Sequence, residues 1–250
     1  MTDRLLLTLL GPILLAQGRR VRKKALILPE PVGDREGIRG PRPENSQEED
    51  QARNPDLRLL IVGDSSAAGV GVATQEEALL GHLVRYLAAT KRVRFRLVAR
   101  TGLTTSHILQ WLTKMPAEEF DVAVTSLGVN DTTRLREPAD FIAQQEALLD
   151  LLREKFQVRQ TVVTGLPPMH LFPALPQPLR WVMGRRARQL DAALAALAAD
   201  RPETQHLNTN FAVDPGKMAS DGFHPGPTHY RQWAEMVAEI LLPPESRPPA

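Results

Sequence analysis

The chain has 250 residues, 42% of them hydrophobic and 24% charged, which fits one medium globular domain with extensions and a real core. A formal charge of +2, with a pI of about 9.1, is too small an excess to mark a nucleic-acid-binding face, and 5% aromatic residues are too few for base stacking. The absence of cysteine excludes disulfides, thiolate catalysis and Cys-ligated zinc, and leaves the redox compartment open.

Leu5 to Ala16 (LLLTLLGPILLA) is an apolar run. It is shorter than the roughly 18–20 residues that cross a bilayer. Asp3 and Arg4 cancel in front of it and GRRVRKK follows it, the reverse of a secretory signal's charge order. Residues 1–28 are therefore expected to form an apolar and basic helical segment that packs on the domain or contacts a membrane surface through residues 5–28. On the same ground, a cytoplasmic or membrane-peripheral location is favoured over a secreted or periplasmic one. Residues 29–55 (PEPVGDREGIRGPRPENSQEEDQARNP) are rich in Pro, Gly and charge and read as a linker or loosely wrapped arm.

From Asp56 onward, strand and helix alternate. Leu57 to Val62 (LRLLIV) is a buried strand running into Gly63. Thr74 to Ala89 has helical spacing, Val93 to Ala99 alternates as a strand does, and Ser106 to Leu112 is a short helix. A third strand at Val122 to Leu127 precedes an amphipathic helix at Pro138 to Phe156, with Pro138 in its first turn. A fourth strand (Thr161 to Leu166), a long Ala/Leu-rich helix (Leu179 to Ala199), a short fifth strand (Gln205 to Asn208) and a last helix (Thr228 to Leu242, stopped by Pro243 and Pro244) follow. This order implies βαβ units, an α/β fold with a parallel sheet covered on both faces, in a domain spanning residues 56–244, and a disordered tail at 245–250. Ligands bind such sheets outside the carboxyl ends of the strands, so chemistry belongs in the loops that follow them.

Four such loops carry candidates. Gly63-Asp64-Ser65-Ser66 presents a serine hydroxyl at a turn that Gly63 would let bend sharply, although Asp64 and Ser65 are equally suited to capping a helix. Gly102 permits close approach of its N–H to a ligand oxygen, with an ordinary turn as the plainer alternative. Asn130, in Gly128-Val129-Asn130-Asp131, offers an uncharged amide donor of the kind an oxyanion hole uses, where it could also be a simple turn residue. Asp221-Gly222-Phe223-His224-Pro225 carries a carboxylate and an imidazole on one short loop; the carboxylate can bind Nδ1 and leave Nε2 to act as a base. The four together, in order and each after a different strand, point to nucleophilic acyl chemistry.

On these positions the chain resembles the SGNH hydrolase superfamily, the GDSL-type lipases and esterases. Ser65, Gly102, Asn130 and His224 match the four name-giving residues and Asp221 the acid of the last block. The resemblance covers roughly Leu57 to Leu242. One departure is Ser66, where the motif name has leucine. The resemblance implies a three-layer α/β/α sandwich on a flavodoxin-like parallel five-stranded sheet of order 2-1-3-4-5. It also implies catalytic Ser65, Asp221 and His224, and an oxyanion hole made by Ser65, Gly102 and Asn130. The activity it implies is hydrolysis of carboxylic (acyl) esters through an acyl-enzyme, with no metal or organic cofactor, a small-molecule ester substrate and a monomeric enzyme. Carbohydrate O-deacetylase, lysophospholipase and thioesterase activities stand as alternatives within the superfamily, and a non-catalytic ligand- or membrane-binding module as one from another class. The apolar, proline-rich segment Leu166 to Met183 is expected to wall an acyl pocket in part, with Pro167 and Met169 nearest the site.

Two other readings are weaker. Gly69-Val70-Gly71 resembles part of a dinucleotide fingerprint, but Thr74 stands where its third glycine belongs and the glycines come late after the strand. No GxSxG elbow is present for an α/β-hydrolase. His82, His107, His170, His206 and His229 lack paired-ligand spacing.

Overall fold

In a computed structural model, the structure describes residues 2–41, 55–209 and 214–242. Most of the charge-rich stretch at 42–54, the proline stop at 243–244 and the tail at 245–250 lie outside the described residues. The elements are α1 (Thr2–Lys24), β1 (Glu36–Arg39), β2 (Leu57–Gly63), α2 (Ser65–Ala68), α3 (Leu79–Leu87), β3 (Val93–Ala99), α4 (Thr105–Lys114), β4 (Val122–Ser126), α5 (Val129–Thr133), α6 (Pro138–Phe156), β5 (Gln160–Thr164), α7 (Leu179–Ala199), β6 (Thr204–Leu207) and α8 (Pro227–Leu241).

The sheet runs β1-β3-β2-β4-β5-β6. Its five strands from β2 onward are parallel and lie in the order expected. The sheet has six strands rather than five, because β1 pairs antiparallel with the outer edge of β3. This strand lies within the stretch read as a linker or arm. Glu36–Arg39 is short and half polar, so it has no strand pattern of its own; the open β3 edge supplies its hydrogen bonds, and Glu36 pairs with Arg96 at 2.8 Å.

Alternation along β2 sorts the core into layers. Leu57, Leu59 and Ile61 face a cluster built with α3 and α8 (Leu79, Leu83, Tyr230, Trp233). Leu60 and Val62 face the opposite cluster with α4 and α6 (Ile108, Leu112, Leu148, Leu152). A third cluster joins α6 to α7 through Phe141, Leu149, Leu190 and Leu194. Helices thus cover both faces of the sheet.

Several local features differ from the sequence pattern. The helix expected over Thr74 to Ala89 is broken: Gln75–Glu77 form a 3-10 turn closed by a Thr74/Glu77 capping box, and α3 starts after an extended Ala78. Helices α2 and α5 are single turns, too short to leave a periodic signal. Helix α1 extends to Lys24, beyond the apolar run. Leu14 and Val21, two turns apart on one face, pack against the α6–α7 cluster, and Gln17 between them exchanges hydrogen bonds with Gln177 O (2.6 Å) and Leu179 N (3.1 Å). Among the described residues no helix is long and apolar enough to cross a membrane.

Candidate active site

Every candidate residue lies at the carboxyl end of the parallel strands. Gly63 ends β2 without a positive φ, so its role is space rather than a sharp turn: a Cβ there would come within 2.5 Å of Ser126 O and of Ala67 Cβ. Asp64 and Ser65 then divide the two roles that the sequence left open. The Asp64 carboxylate caps α2 by accepting from Ser66 N at 3.0 Å. Ser65 is the first residue of the helix, so its N–H is one of the donors a helix start leaves without an internal partner. The serine hydroxyl lies 2.8 Å from His224 Nε2. From α8, Tyr230 locks this turn by donating to Ser66 O (3.0 Å) and Val70 O (2.7 Å). Gly69 caps α2 in the left-handed region, and a Cβ on Gly71 would come within 2.3 Å of Pro225 O. Of the two glycines considered for a dinucleotide phosphate, Gly69 thus ends the serine helix and Gly71 lets the serine and histidine loops pack against each other.

The Asp221–His224 loop closes on itself. Asp221 Oδ1 accepts from Phe223 N (2.9 Å) and His224 N (3.1 Å), and Oδ2 lies 2.5 Å from His224 Nδ1. Burial alone raises the Asp221 carboxyl pKa; the His224 ring and the two backbone N–H groups outweigh that and hold it below its ordinary value of 3.8. The carboxylate fixes Nδ1 as the protonated nitrogen, so Nε2 is left to accept from Ser65 Oγ. A single line of contacts therefore runs Asp221–His224–Ser65.

The two other donors flank this line. Gly102 has φ +81° and a Cβ there would meet nothing within 4 Å, so the glycine is required by backbone conformation and opens into the crevice. Asn130, in α5 behind a positive-φ Gly128, uses both of its amide hydrogens internally: Nδ2 donates to Leu103 O (3.0 Å) and to Asp64 Oδ2 (3.2 Å). The longer bond ties the position after Gly63 to the third loop, a tie that no sequence pattern announced. Asp64 is fully buried, and burial drives its carboxyl up to about 6 against the Ser66 N–H, the His224 ring and the Asn130 amide, with Asp131 adding to the rise.

These groups open into a crevice of about 250 Å³ with an apolar wall of Val129, Pro167, Phe172, Met218, Phe223 and Pro225. Pro167 lies where expected. Met169 does not: the 3-10 turn Met169–Leu171 turns it into the core, and Phe172 takes the wall position, edge-on to Phe223 at 6.3 Å. His229 also lines the crevice, buried, with burial lowering its pKa and its Nε2 without a hydrogen-bond partner among the described residues. A separate cavity of about 330 Å³, between the β1 segment and α3, is lined by paired ions (Asp34 with Arg39, Glu76 with Arg85) and apolar groups, and gathers no nucleophile and base. Among the described residues no three His, Cys, Asp or Glu side chains gather as metal ligands could.

The sequence model of the GDSL-like Lipase/Acylhydrolase family matches residues 61–232. The chain belongs to that family. A GDSL-like esterase of Mycobacterium tuberculosis is 31% identical over 193 residues, covering 73% of this chain; the chain spans about 60% of that relative's length. Among solved structures, a lipase from a goat rumen metagenome superposes with a TM-score of 0.59 at 18% identity, covering 73% of this chain and 97% of that one. An esterase of Pseudoalteromonas sp. gives 0.56 at 19% identity, covering 74% and 97%. At such identities these two likenesses speak to the fold alone. The family match begins inside β2, so α1, β1 and the segment between them lie outside it.

Proposed function

We propose that this family member is a serine esterase that hydrolyses carboxylic (acyl) esters through an acyl-enzyme, with Ser65 as nucleophile, His224 as general base and Asp221 as the residue that orients the histidine. The observation that carries this reading is the unbroken contact line from Asp221 Oδ2 through both His224 nitrogens to Ser65 Oγ, at 2.5 and 2.8 Å.

In the proposed acylation, His224 Nε2 takes the proton as Ser65 Oγ attacks the ester carbonyl. The oxyanion that forms is received by the N–H groups of Ser65 and Gly102. Asn130 joins them by giving up its 3.2 Å bond to Asp64, the longer of its two. His224 then protonates the departing alcohol, and a water activated by the same nitrogen hydrolyses the acyl-Ser65 ester. Asp221 stays ionised throughout and stabilises the imidazolium. At about 250 Å³ the crevice stands below the usual 300–1,000 Å³ of ligand pockets, and its wall is apolar, which favours short acyl groups over long ones.

The test is hydrolysis of p-nitrophenyl esters from acetate to palmitate by the wild type and by Ser65→Ala. The expected result is turnover that peaks at short chains and falls by at least about 10³-fold in the variant. Equal rates for the two proteins would overturn the assignment of Ser65. An optimum at long chains would overturn the short-acyl reading.

A further inference from the structure

We infer that Glu30, in the segment that precedes the family-matched region, is a positioning residue for the Gly102 loop: its carboxylate holds Thr101 and so aims the neighbouring Gly102 N–H. This rests on the reading of Gly102 as an oxyanion donor. Among the described residues, Glu30 is the group that bonds the Thr101 N–H and hydroxyl. Arg100 and Thr101 are exposed, and Gly102 has open space where a side chain would be. The other bonds at the turn are longer: Leu103 N to Arg100 O at 3.4 Å, Arg100 N to Gly63 O at 3.3 Å, Arg134 Nη2 to Gly102 O at 3.3 Å and Asn130 Nδ2 to Leu103 O at 3.0 Å. By contrast, Glu30 Oε1 accepts from Thr101 N at 2.7 Å and from Thr101 Oγ1 at 2.9 Å. These are the shortest bonds that reach the turn, and they fix both the backbone and the side chain of one residue.

Glu30 is itself anchored. Its second oxygen accepts from Arg35 Nη1 at 3.2 Å, while Arg35 Nη2 donates to Ala99 O at 2.8 Å, the last residue of β3. Leu97 N donates to Arg35 O at 2.7 Å. Between them, Val32 N donates to Ala73 O and Gln75 N to Val32 O. The Pro31 ring sits over Gly69, where a Cβ would come within 2.7 Å of Pro31 Cγ. The segment therefore touches the turn after α2 and the Gly102 turn at once. A lone carboxylate beside an oxyanion site would oppose the developing charge; Arg35 offsets it, so Glu30 contributes order with little net charge. Burial raises its pKa, but the two Thr101 bonds and Arg35 together hold it ionised, below 4.5.

The experiment compares wild type with Glu30→Ala, Glu30→Gln and Thr101→Val in the full chain. p-Nitrophenyl butyrate is the substrate, and hydrogen–deuterium exchange is followed over residues 99–104. Misplacing a donor by a fraction of an ångström is expected to lower kcat in Glu30→Ala about tenfold, with KM within about twofold. Glu30→Gln keeps an acceptor for the Thr101 N–H and should recover most of that loss. Thr101→Val, which leaves the segment intact, should lose about threefold. Exchange at Thr101 and Gly102 should quicken about tenfold in Glu30→Ala and little in Glu30→Gln. The inference is overturned if kcat stays within twofold in Glu30→Ala, or if Gln gives no rescue. A wild type that hydrolyses no ester defeats the proposed function separately. Exchange over 99–104 then decides the role of Glu30 by itself, and unchanged exchange overturns it.

Discussion

Asp64 lies between Ser65 and Asn130, 2% exposed, and is driven from 3.8 up to about 6 chiefly by burial. A raised carboxylate pKa means that the folded protein binds this proton more tightly than the unfolded chain does. Between about pH 4 and about pH 6 the native state therefore carries more of the proton, and the linkage makes stability fall as pH rises through that window. At about 1.4 kcal/mol per tenfold change in proton affinity, the rise is worth about 3 kcal/mol. Asp64→Asn removes the titration while keeping an acceptor for the Ser66 N–H, since asparagine caps helices about as well as aspartate. Urea unfolding of both proteins from about pH 4 to about pH 7.5 isolates the effect. The groups held below their ordinary values, the carboxyls of Glu30, Asp121, Asp150, Asp214 and Asp221 and the imidazoles of His82 and His229, favour stability with rising pH and cancel in the difference. The wild type minus Asp64→Asn stability should fall by about 2–3 kcal/mol across the range. A difference constant to within about 0.5 kcal/mol, or one that grows with pH, would refute the argument that burial dominates at Asp64.

Two further outcomes are expected. Asp221→Asn can still accept from the Phe223 and His224 N–H groups, so the loop should fold, but it no longer fixes the His224 tautomer. The variant's kcat should drop about 10³–10⁴-fold while its thermal midpoint moves little, and a loss under tenfold would remove Asp221 from the mechanism. Beside the C-terminal end of α1, Leu26 and Ile27 are 54% and 91% exposed, and Leu15 on the helix is 59% exposed, next to Arg19, Arg20, Arg22, Lys23 and Lys24. An apolar and basic surface of this kind should bind phosphatidylserine vesicles in a salt-sensitive way. Flotation with such vesicles should be seen for the wild type and lost in Leu26→Ser/Ile27→Ser; the same flotation in both proteins would refute it.

What the sequence made legible, and what it hid, follow from how far each feature depends on distant partners. Strands β2 to β5 and helices α6 and α7 could be read because each buries a long apolar stripe of its own; α6 even keeps the predicted limits, set by Pro138 and Phe156. The four site loops could be read because chemistry restricts residue types where parallel strands end. Strand β1 could not, since Glu36–Arg39 becomes a strand only through the β3 edge that it meets. Met169 and Phe172 look alike in an apolar, proline-rich run, and only the 3-10 turn decides which of them reaches the crevice. The ties that hold the site rigid were the least legible of all. Asp64 meets Asn130 across 66 positions and Glu30 meets Thr101 across 71. In each case a common acidic residue acquires a function only from where the fold delivers its partner. If Glu30 aims the Gly102 N–H, the working active site extends beyond the family-matched region into a segment whose composition reads as linker. The loops inside the family-matched region then provide the reacting groups, while the segment in front of them provides part of their alignment.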